Sequence, residues 1–293
     1  MGARSIQKEI ELINRHTGGA TLTVIARATA LMHTFNVWRN DLNLQIKSLV
    51  SVKTSQIAAY VKHEQDAGKS IRSIQNDLAH IRAGLRAVGR EQFAKSAQIS
   101  NKSLGASGAS RDGTHKALTA EQYLKALADA RERNSGVAAA MELQRELGLR
   151  AREAVQSVQS LERWEKSLLR GESIRVIHGT KGGHPRDTGP INHERALKAV
   201  RDALEVARIN GGQIIQSRSL QGAMRAYGRH LKALGLTEEF ASHALRCTYA
   251  QDRFLQHLEA TGGDRREALA ETSLDLGHGD GRGTYVKQVY LRS

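Results

Sequence analysis

Proline is almost missing from this chain, with two residues in 293. So few chain breakers, beside abundant Ala, Leu, Arg, Gln and Glu, predict a mostly helical protein. Cysteine is rarer still. Cys247 stands alone, which excludes an intrachain disulfide and fits a reducing, cytoplasmic setting. No run approaches the roughly eighteen apolar residues that a membrane-spanning helix needs. The first residues, Met1 to Ile6, lack the apolar stretch of a secretory signal. Acidic residues are also short: 30 Asp and Glu face 44 Lys and Arg, for a formal net charge of +14. That surplus points to a polyanion such as nucleic acid as the partner. Hydrophobic residues make up 40%, enough to bury a core and to exclude a wholly disordered chain. Familiar chemical signatures are missing too. There is no Walker loop, no Gly-x-Ser-x-Gly elbow, and no His, Cys and carboxylate spacing suited to a metal. Neither a cofactor nor a metal is expected.

What is present falls into two regions. From 20 to 93 the apolar residues recur at helical spacing: Ile25, Thr29, Met32, Phe35 and Trp38 on one face, then Ile57, Tyr60 and Val61, then Ile74, Leu78, Ile81, Leu85 and Val88. Ser70 or Ser73 is the expected cap of the last helix. The polar faces carry Lys53, Lys62, Lys69, Arg72, Arg82, Arg86 and Arg90, a set suited to phosphate contacts along a duplex. Periodicity fails between 94 and 117, where Ser, Gly and Ala dominate. The expected division is a helical DNA-binding domain at 1–100, a linker at 101–116 and a second domain at 117–293. The lysines of the irregular stretch and Arg111 are candidate backbone contacts. Thr119 to Gln122 reads as a capping box that restarts helix. Residues 174–178 alternate as a strand, Gly182-Gly183 is a turn, and 185–191 is the return strand of the one clear β-hairpin.

The second region carries a series of basic residues in short contexts. They are Arg150 in Gly-Leu-Arg-Ala-Arg-Glu, Lys181 in Thr-Lys-Gly-Gly, His243 and Arg246 in His-Ala-Leu-Arg, and His278 in Leu-Gly-His-Gly. Tyr290 comes last. Two arginines, a lysine and two histidines suit the handling of a phosphate diester. Guanidinium forks match phosphate oxygens and stay charged, so Arg150 and Arg246 are the proposed clamps. Lys181, on a hairpin, suits protonation of a leaving oxygen. His243 and His278 donate hydrogen bonds or move protons. A tyrosine beside them can act as nucleophile.

In order and spacing these motifs resemble the tyrosine recombinase (phage integrase) family, strongly over 115–293 and less over the N-terminal third. The family's tyrosine spacing falls between the two candidates here, since Tyr285 lies seven residues after His278 and Tyr290 twelve. The glycine-rich run 277–283 favours an insertion and Tyr290. The resemblance implies a mostly α protein. Its parts would be an N-terminal helical core-binding (SAM-like) domain and a mixed α+β catalytic domain with a small β-hairpin, together clamping double-stranded DNA as a C. It implies a site-specific recombinase or integrase of a mobile element that cleaves and rejoins DNA through a 3′-phosphotyrosine, without ATP or metal. Assembly would be a homotetramer on paired sites, with no membrane. Glu153 is expected to support the site rather than react. Two alternatives share the fold or the chemistry: a type IB topoisomerase-like enzyme and a catalytically silent DNA-binding accessory protein.

Overall fold

The computed structural model describes residues 3–110 and 112–291 and divides into two compact units, Met1–Ser110 and Arg111–Ser293. Arg111, a candidate DNA contact, lies outside the described residues. The chain is mostly helical, with one small sheet.

The first unit contains α1 (Ala3–Thr17), α2 (Thr21–Asn36), α3 (Thr54–Asp66), α4 (Ile71–Ala87) and the short α5 (Glu91–Lys95). Ser70 caps α4, its hydroxyl accepting from the Ser73 amide. Leu31, Phe35, Trp38, Ile57, Tyr60, Ile74, Leu78, Ile81 and Leu85 form the core, and the Trp38 indole donates to the Gln56 carbonyl at 2.9 Å. Ile99, Leu104 and Ala106 belong to this core as well. The inward face of α2 differs from the sequence expectation. Ile25 is 52% exposed and Thr29 is exposed, while Arg27, Leu31, Thr34 and Phe35 are buried. The face is turned toward Arg27 because that guanidinium caps the end of α1, bonding Asn14, Thr17 and the Gly18 carbonyl.

Three of the candidate phosphate-binding residues are spent inside this unit. Lys69 pairs with Glu64 and Asp77. Arg82 donates to the Ile99 carbonyl and Asn101. Arg90 donates to the carbonyls of Leu49 and Val52 and covers the Phe93 ring. These three hold the unit together. Lys53, Lys62, Arg72 and Arg86 stay exposed.

The second unit opens with α6 (Ala120–Arg133), started by a reciprocal Thr119–Gln122 capping box. Next come α7 (Ser135–Leu147), α8 (Ala151–Val155) and α9 (Leu161–Leu169). The hairpin is β1 (Ile174–Val176) and β2 (Arg186–Thr188), antiparallel with Ile174 opposite Thr188. The last helices are α10 (His193–Ile209), α11 (Leu220–Ala233), α12 (His243–Ala260), α13 (Arg265–Asp275) and α14 (Gly283–Val289). Helix α7 is central. Nearly every side chain it has is buried, against α6, α10, α11 and α12. Its C-terminal end is therefore fixed within the core, and the chain leaves it through Gly148. Among the described residues no helix is long and apolar enough to cross a membrane.

Candidate active site

Helix α7 stops at Gly148, whose backbone is left-handed (φ 59°, ψ 31°). A side chain there would be strained, and its Cβ would lie 2.4 Å from the Tyr249 ring. The turn sends Leu149 into the core, frees the Gly148 carbonyl, and sets Arg150 as the N-cap of α8. Glu153 completes that start. Its carboxylate accepts from the Arg150 backbone amide at 2.7 Å and from the Arg150 guanidinium at 2.6 Å. The spacing of Arg and Glu in the motif is thus a helix cap and an ion pair at once.

The second arginine comes from the first turn of α12. Arg246 is fully buried (0% exposed). It donates to the Gly148 carbonyl and, at 2.5 Å, to the Leu276 carbonyl. The Arg150 guanidinium reaches the same Leu276 carbonyl at 3.4 Å. The Leu276 carbonyl is available because α13 ends there. Gly277 is left-handed (φ 65°), and a Cβ on it would lie 2.2 Å from the Arg186 Cδ. That close approach explains the glycine between Leu276 and His278.

A residue that the sequence motifs did not single out holds these pieces together. Arg186, on β2, is buried and donates to Glu153 at 2.7 Å, the Gly148 carbonyl at 3.2 Å and the Asp275 carbonyl at 2.9 Å. It joins the segment carrying Arg150 to the segment carrying His278. Burial lowers its pKa to about 10, so it stays charged at neutral pH. Its role emerges only in the fold, where Arg186 and Thr188 face inward from the strand and Asp187 points out. Burial opposes ionisation of Glu153, but Arg186, Arg246 and Arg150 outweigh it and hold the carboxyl below its ordinary range. Asp275 is fixed in turn by Arg253 and His257, each at 2.8 Å, and by the Gly189 amide at 3.0 Å.

Tyr290 ends α14 and is 2% exposed. Its hydroxyl lies 3.0 Å from the His278 Nε2 and 3.5 Å from the Arg246 Nε. The His243 ring also packs on it, with centroids 5.3 Å apart. Burial, then the neighbouring guanidiniums of Arg246 and Arg150, pushes the pKa of both histidines down to about 3. Both imidazoles are neutral at physiological pH in the DNA-free chain. Tyr285 is 38% exposed, and its ring edges onto His278 at 4.8 Å. Its pKa is raised, by burial first and then by Tyr290.

The structure thus brings Arg150, His243, Arg246, His278 and Tyr290 together. It does not bring Lys181 to them. Lys181 is exposed at the tip of the hairpin and makes no hydrogen bond or ion pair with the described residues. Among the described residues no group of His, Cys, Asp and Glu is arranged to hold a metal.

Chemically, this is a cluster with surplus positive charge. Three guanidiniums surround one carboxylate, and a phenol lies within hydrogen-bonding distance of a neutral imidazole.

Comparison with known proteins places this geometry in a family. Residues 105–252 match the family described as Integrase, and residues 3–94 match that described as Phage integrase, N-terminal. No curated protein matches the chain in sequence. Among solved structures, a lambda integrase tetramer bound to a Holliday junction is similar, with a TM-score of 0.61 and 22% identity over 99% of this chain and 78% of that one. A Tn1549 transposon integrase in complex with transposon right-end DNA is similar with a TM-score of 0.60 and 16% identity, over 99% of this chain and 95% of that one. At these identities the structures speak to the fold.

Proposed function

The chain belongs to the integrase family and is a site-specific tyrosine recombinase, and from that premise we propose that Tyr290 is its nucleophile. The observation that carries the assignment is the Tyr290 hydroxyl, held by His278 at 3.0 Å beside the buried Arg246 guanidinium. The Tyr285 hydroxyl hydrogen-bonds neither of them, although its ring touches His278, and the residue is more exposed.

In the step proposed, the Tyr290 Oη attacks the scissile phosphorus and its proton passes to the His278 Nε2. A bond forms between the tyrosine oxygen and phosphorus. The bond from phosphorus to the 5′-oxygen breaks, and that oxygen takes a proton from Lys181. Arg150 and Arg246 hold the non-bridging oxygens as charge grows on them. Glu153 and Arg186 keep the two arginines in place. The 3′-phosphotyrosine retains the energy of the broken bond, so a 5′-hydroxyl rejoins the strand by the reverse of the same step. Tyr290 and Arg246 are covered in the DNA-free chain, so engaging a phosphate requires the covering residues to move.

The partner is double-stranded DNA, and the net charge of +14 supports it. The lambda integrase solved as a tetramer on a Holliday junction supports a homotetramer on paired sites for this chain also. Cytoplasmic action fits both that substrate and the single buried Cys247 thiol.

The test uses nicked duplexes that tile the DNA flanking the gene, each built so that the cleaved 5′-hydroxyl strand diffuses away. The parent chain is expected to form a covalent adduct, mapped by peptide sequencing to Tyr290. Tyr290→Phe removes only the attacking oxygen and is expected to abolish the adduct while retaining DNA binding. An adduct on Tyr285 would overturn the assignment of the nucleophile, and no adduct on any duplex would favour a silent DNA-binding role.

A further inference from the structure

The stretch between Asp112 and Leu118 has no assigned role, yet it is tied to both halves of the site. The Gly113 amide donates to the Gln288 carbonyl at 3.0 Å, and a Cβ on Gly113 would lie 2.1 Å from the Val289 carbonyl oxygen. The strap therefore lies directly on the two residues that precede Tyr290. Farther along, the Cys247 thiol reaches the His115 carbonyl at 3.9 Å, and the Leu118 amide donates to the Thr248 hydroxyl at 2.9 Å. These bonds fasten it to the first turns of α12, which carry His243 and Arg246. Lys116 adds a backbone bond of 2.9 Å and an ion pair of 3.1 Å to Glu239, just before α12.

The side chain at the middle of the strap is His115. Its imidazole packs on His243, with centroids 5.2 Å apart at an interplanar angle of 59°. Its Nδ1 is buried without a partner. His243 itself makes no side-chain hydrogen bond with any described residue. Its ring contacts are with His115, at 5.2 Å between centroids, and with Tyr290, at 5.3 Å. A ring without a hydrogen bond keeps its rotamer only as well as its neighbours wall it in.

We propose that His115 is a positioning residue of the transesterification, forming the wall that holds the His243 ring against Tyr290. This rests on the reading of Tyr290 as nucleophile and adds to it a residue outside the family-like motifs. The claim concerns the ring's shape, so it separates cleanly from a role for the His115 nitrogens. His115→Ala removes the wall. His115→Phe keeps a flat ring of similar size and removes both nitrogens.

The first measurement is single-turnover adduct formation on whichever flanking duplex traps the parent chain, with DNA affinity and melting temperature measured alongside. His115→Ala is expected to slow adduct formation on the order of tenfold to a hundredfold, as for a side chain lining the reacting atoms that is displaced by up to about 1 Å. DNA affinity should not change, and His115→Phe should recover most of the rate. Unchanged rates in His115→Ala overturn the proposal. Equal losses in the Ala and Phe variants, with folding and affinity intact, also overturn it, because the nitrogens would then be what matters. The second measurement needs no DNA. Histidine-selective NMR of the free full-length chain reads the His243 ring directly. Its ring resonances are expected to move and broaden in His115→Ala and return toward the parent's in His115→Phe. Resonances that stay fixed in His115→Ala overturn the proposal even if no duplex is ever cleaved. Absence of any parent adduct with these NMR changes present counts against the nucleophile assignment and leaves the wall standing.

Discussion

Each unit of this protein buries an ionic network, and the two are built differently. In the first unit Lys69 pairs with Glu64 and, at 2.6 Å, with Asp77. His33 meets Glu64 at 3.0 Å, and the Tyr60 hydroxyl donates to Asp77 at 2.8 Å. One lysine is shared by two carboxylates, and each polar group is answered by another side chain. In the second unit a single carboxylate, Glu153, faces Arg150, Arg186 and Arg246, and the remaining guanidinium donors turn to the carbonyls of Gly148, Leu276 and Asp275. Carbonyl dipoles solvate a cation without cancelling its charge. The first network is complete as it stands. The second holds a positive surplus beside a tyrosine hydroxyl, which suits the binding of an anion. Burial alone does not mark a functional ion cluster; a positive surplus beside a hydroxyl nucleophile does.

The sharpest test of that contrast is the one cationic residue of the proposed site that belongs to neither network. Lys181 contributes nothing visible to the fold, so Lys181→Ala should leave the melting temperature unchanged. If it is the general acid, cleavage should still fall by about 10²–10⁴, the usual worth of a positioned proton donor. A duplex with sulfur in place of the bridging 5′-oxygen needs no proton on its leaving group. Cleavage of that substrate should recover in Lys181→Ala and remain absent in Tyr290→Phe. Failure of the sulfur substrate to rescue would remove Lys181 from the reaction.

The two clamp arginines come next, and they should differ from each other. Arg150→Ala and Arg246→Ala should each cost cleavage about 10²–10³, as for loss of a transition-state donor. From sequence alone both truncations are expected to spare the fold. The structure corrects this for Arg246, which is fully buried and ties the Gly148 and Leu276 carbonyls together. Its loss removes a buried donor from both of those acceptors, so Arg246→Ala should also lower the melting temperature. Arg150, partly exposed and backed by Glu153, should lower it less. Equal melting temperatures for the two variants would contradict the reading of Arg246 as both brace and clamp.

How much of the fold and the site is legible in the sequence depends on where each constraint originates. Arg150 and His278 are legible as candidates because they sit in short motifs whose glycines answer local demands; Arg246 and Tyr290 are legible only by their order along the chain. Gly148 needs a left-handed turn, and Gly277 must pass close to a side chain. The helical, two-part organisation is legible from periodicity. Arg186 and His115 are not, because each acts across long sequence separations: Arg186 reaches Asp275, and His115 reaches His243. Lys69 misleads for a related reason. A lysine on a polar helix face reads as solvated, and only the fold brings Asp77 beside it. Ile25 misplaces the inward face of α2, because a buried Arg27 is the less expected inward residue.

The first unit's network yields a stability test. Lys69→Met leaves Glu64 and Asp77 buried without their cation. Breaking a buried pair from one side typically costs on the order of 3–5 kcal/mol, and partial exposure of Lys69 should place it at or below the low end. Adding Glu64→Gln and Asp77→Asn to that variant should restore most of the loss, because no unmatched charge remains. Cleavage per folded molecule should not change in either variant. Loss of cleavage without loss of stability would mean that this network also serves the reaction.

The smallest expected effect is a pH dependence, and its sign is determined. The pKa of His243 and of His278 falls from an ordinary 6.5 to about 3 in the folded chain, through burial first and the nearby guanidiniums second. Below pH 6.5 the unfolded chain takes up protons at these positions and the folded chain does not, so stability should fall as the pH falls. Glu153 and Asp275 are depressed in the folded state and act in the same direction, but only near and below their ordinary values of 4.5 and 3.8. The window between pH 6.5 and 4.5 therefore separates the histidines from these two carboxylates, while Glu142, raised by burial, acts there with the opposite sign. His80 in the first unit is also depressed and contributes with the sign of His243 and His278, so the informative quantity is the difference between parent and variant. In that window the melting temperature of His243→Gln and of His278→Gln should decline less steeply with acid than the parent's. Duplex DNA should flatten the parent's decline as well, since a phosphodiester beside Arg150 and Arg246 offsets the charge that keeps the imidazoles neutral. Parallel slopes in parent and variants would show that the histidines are not held neutral by the surplus charge of the second network.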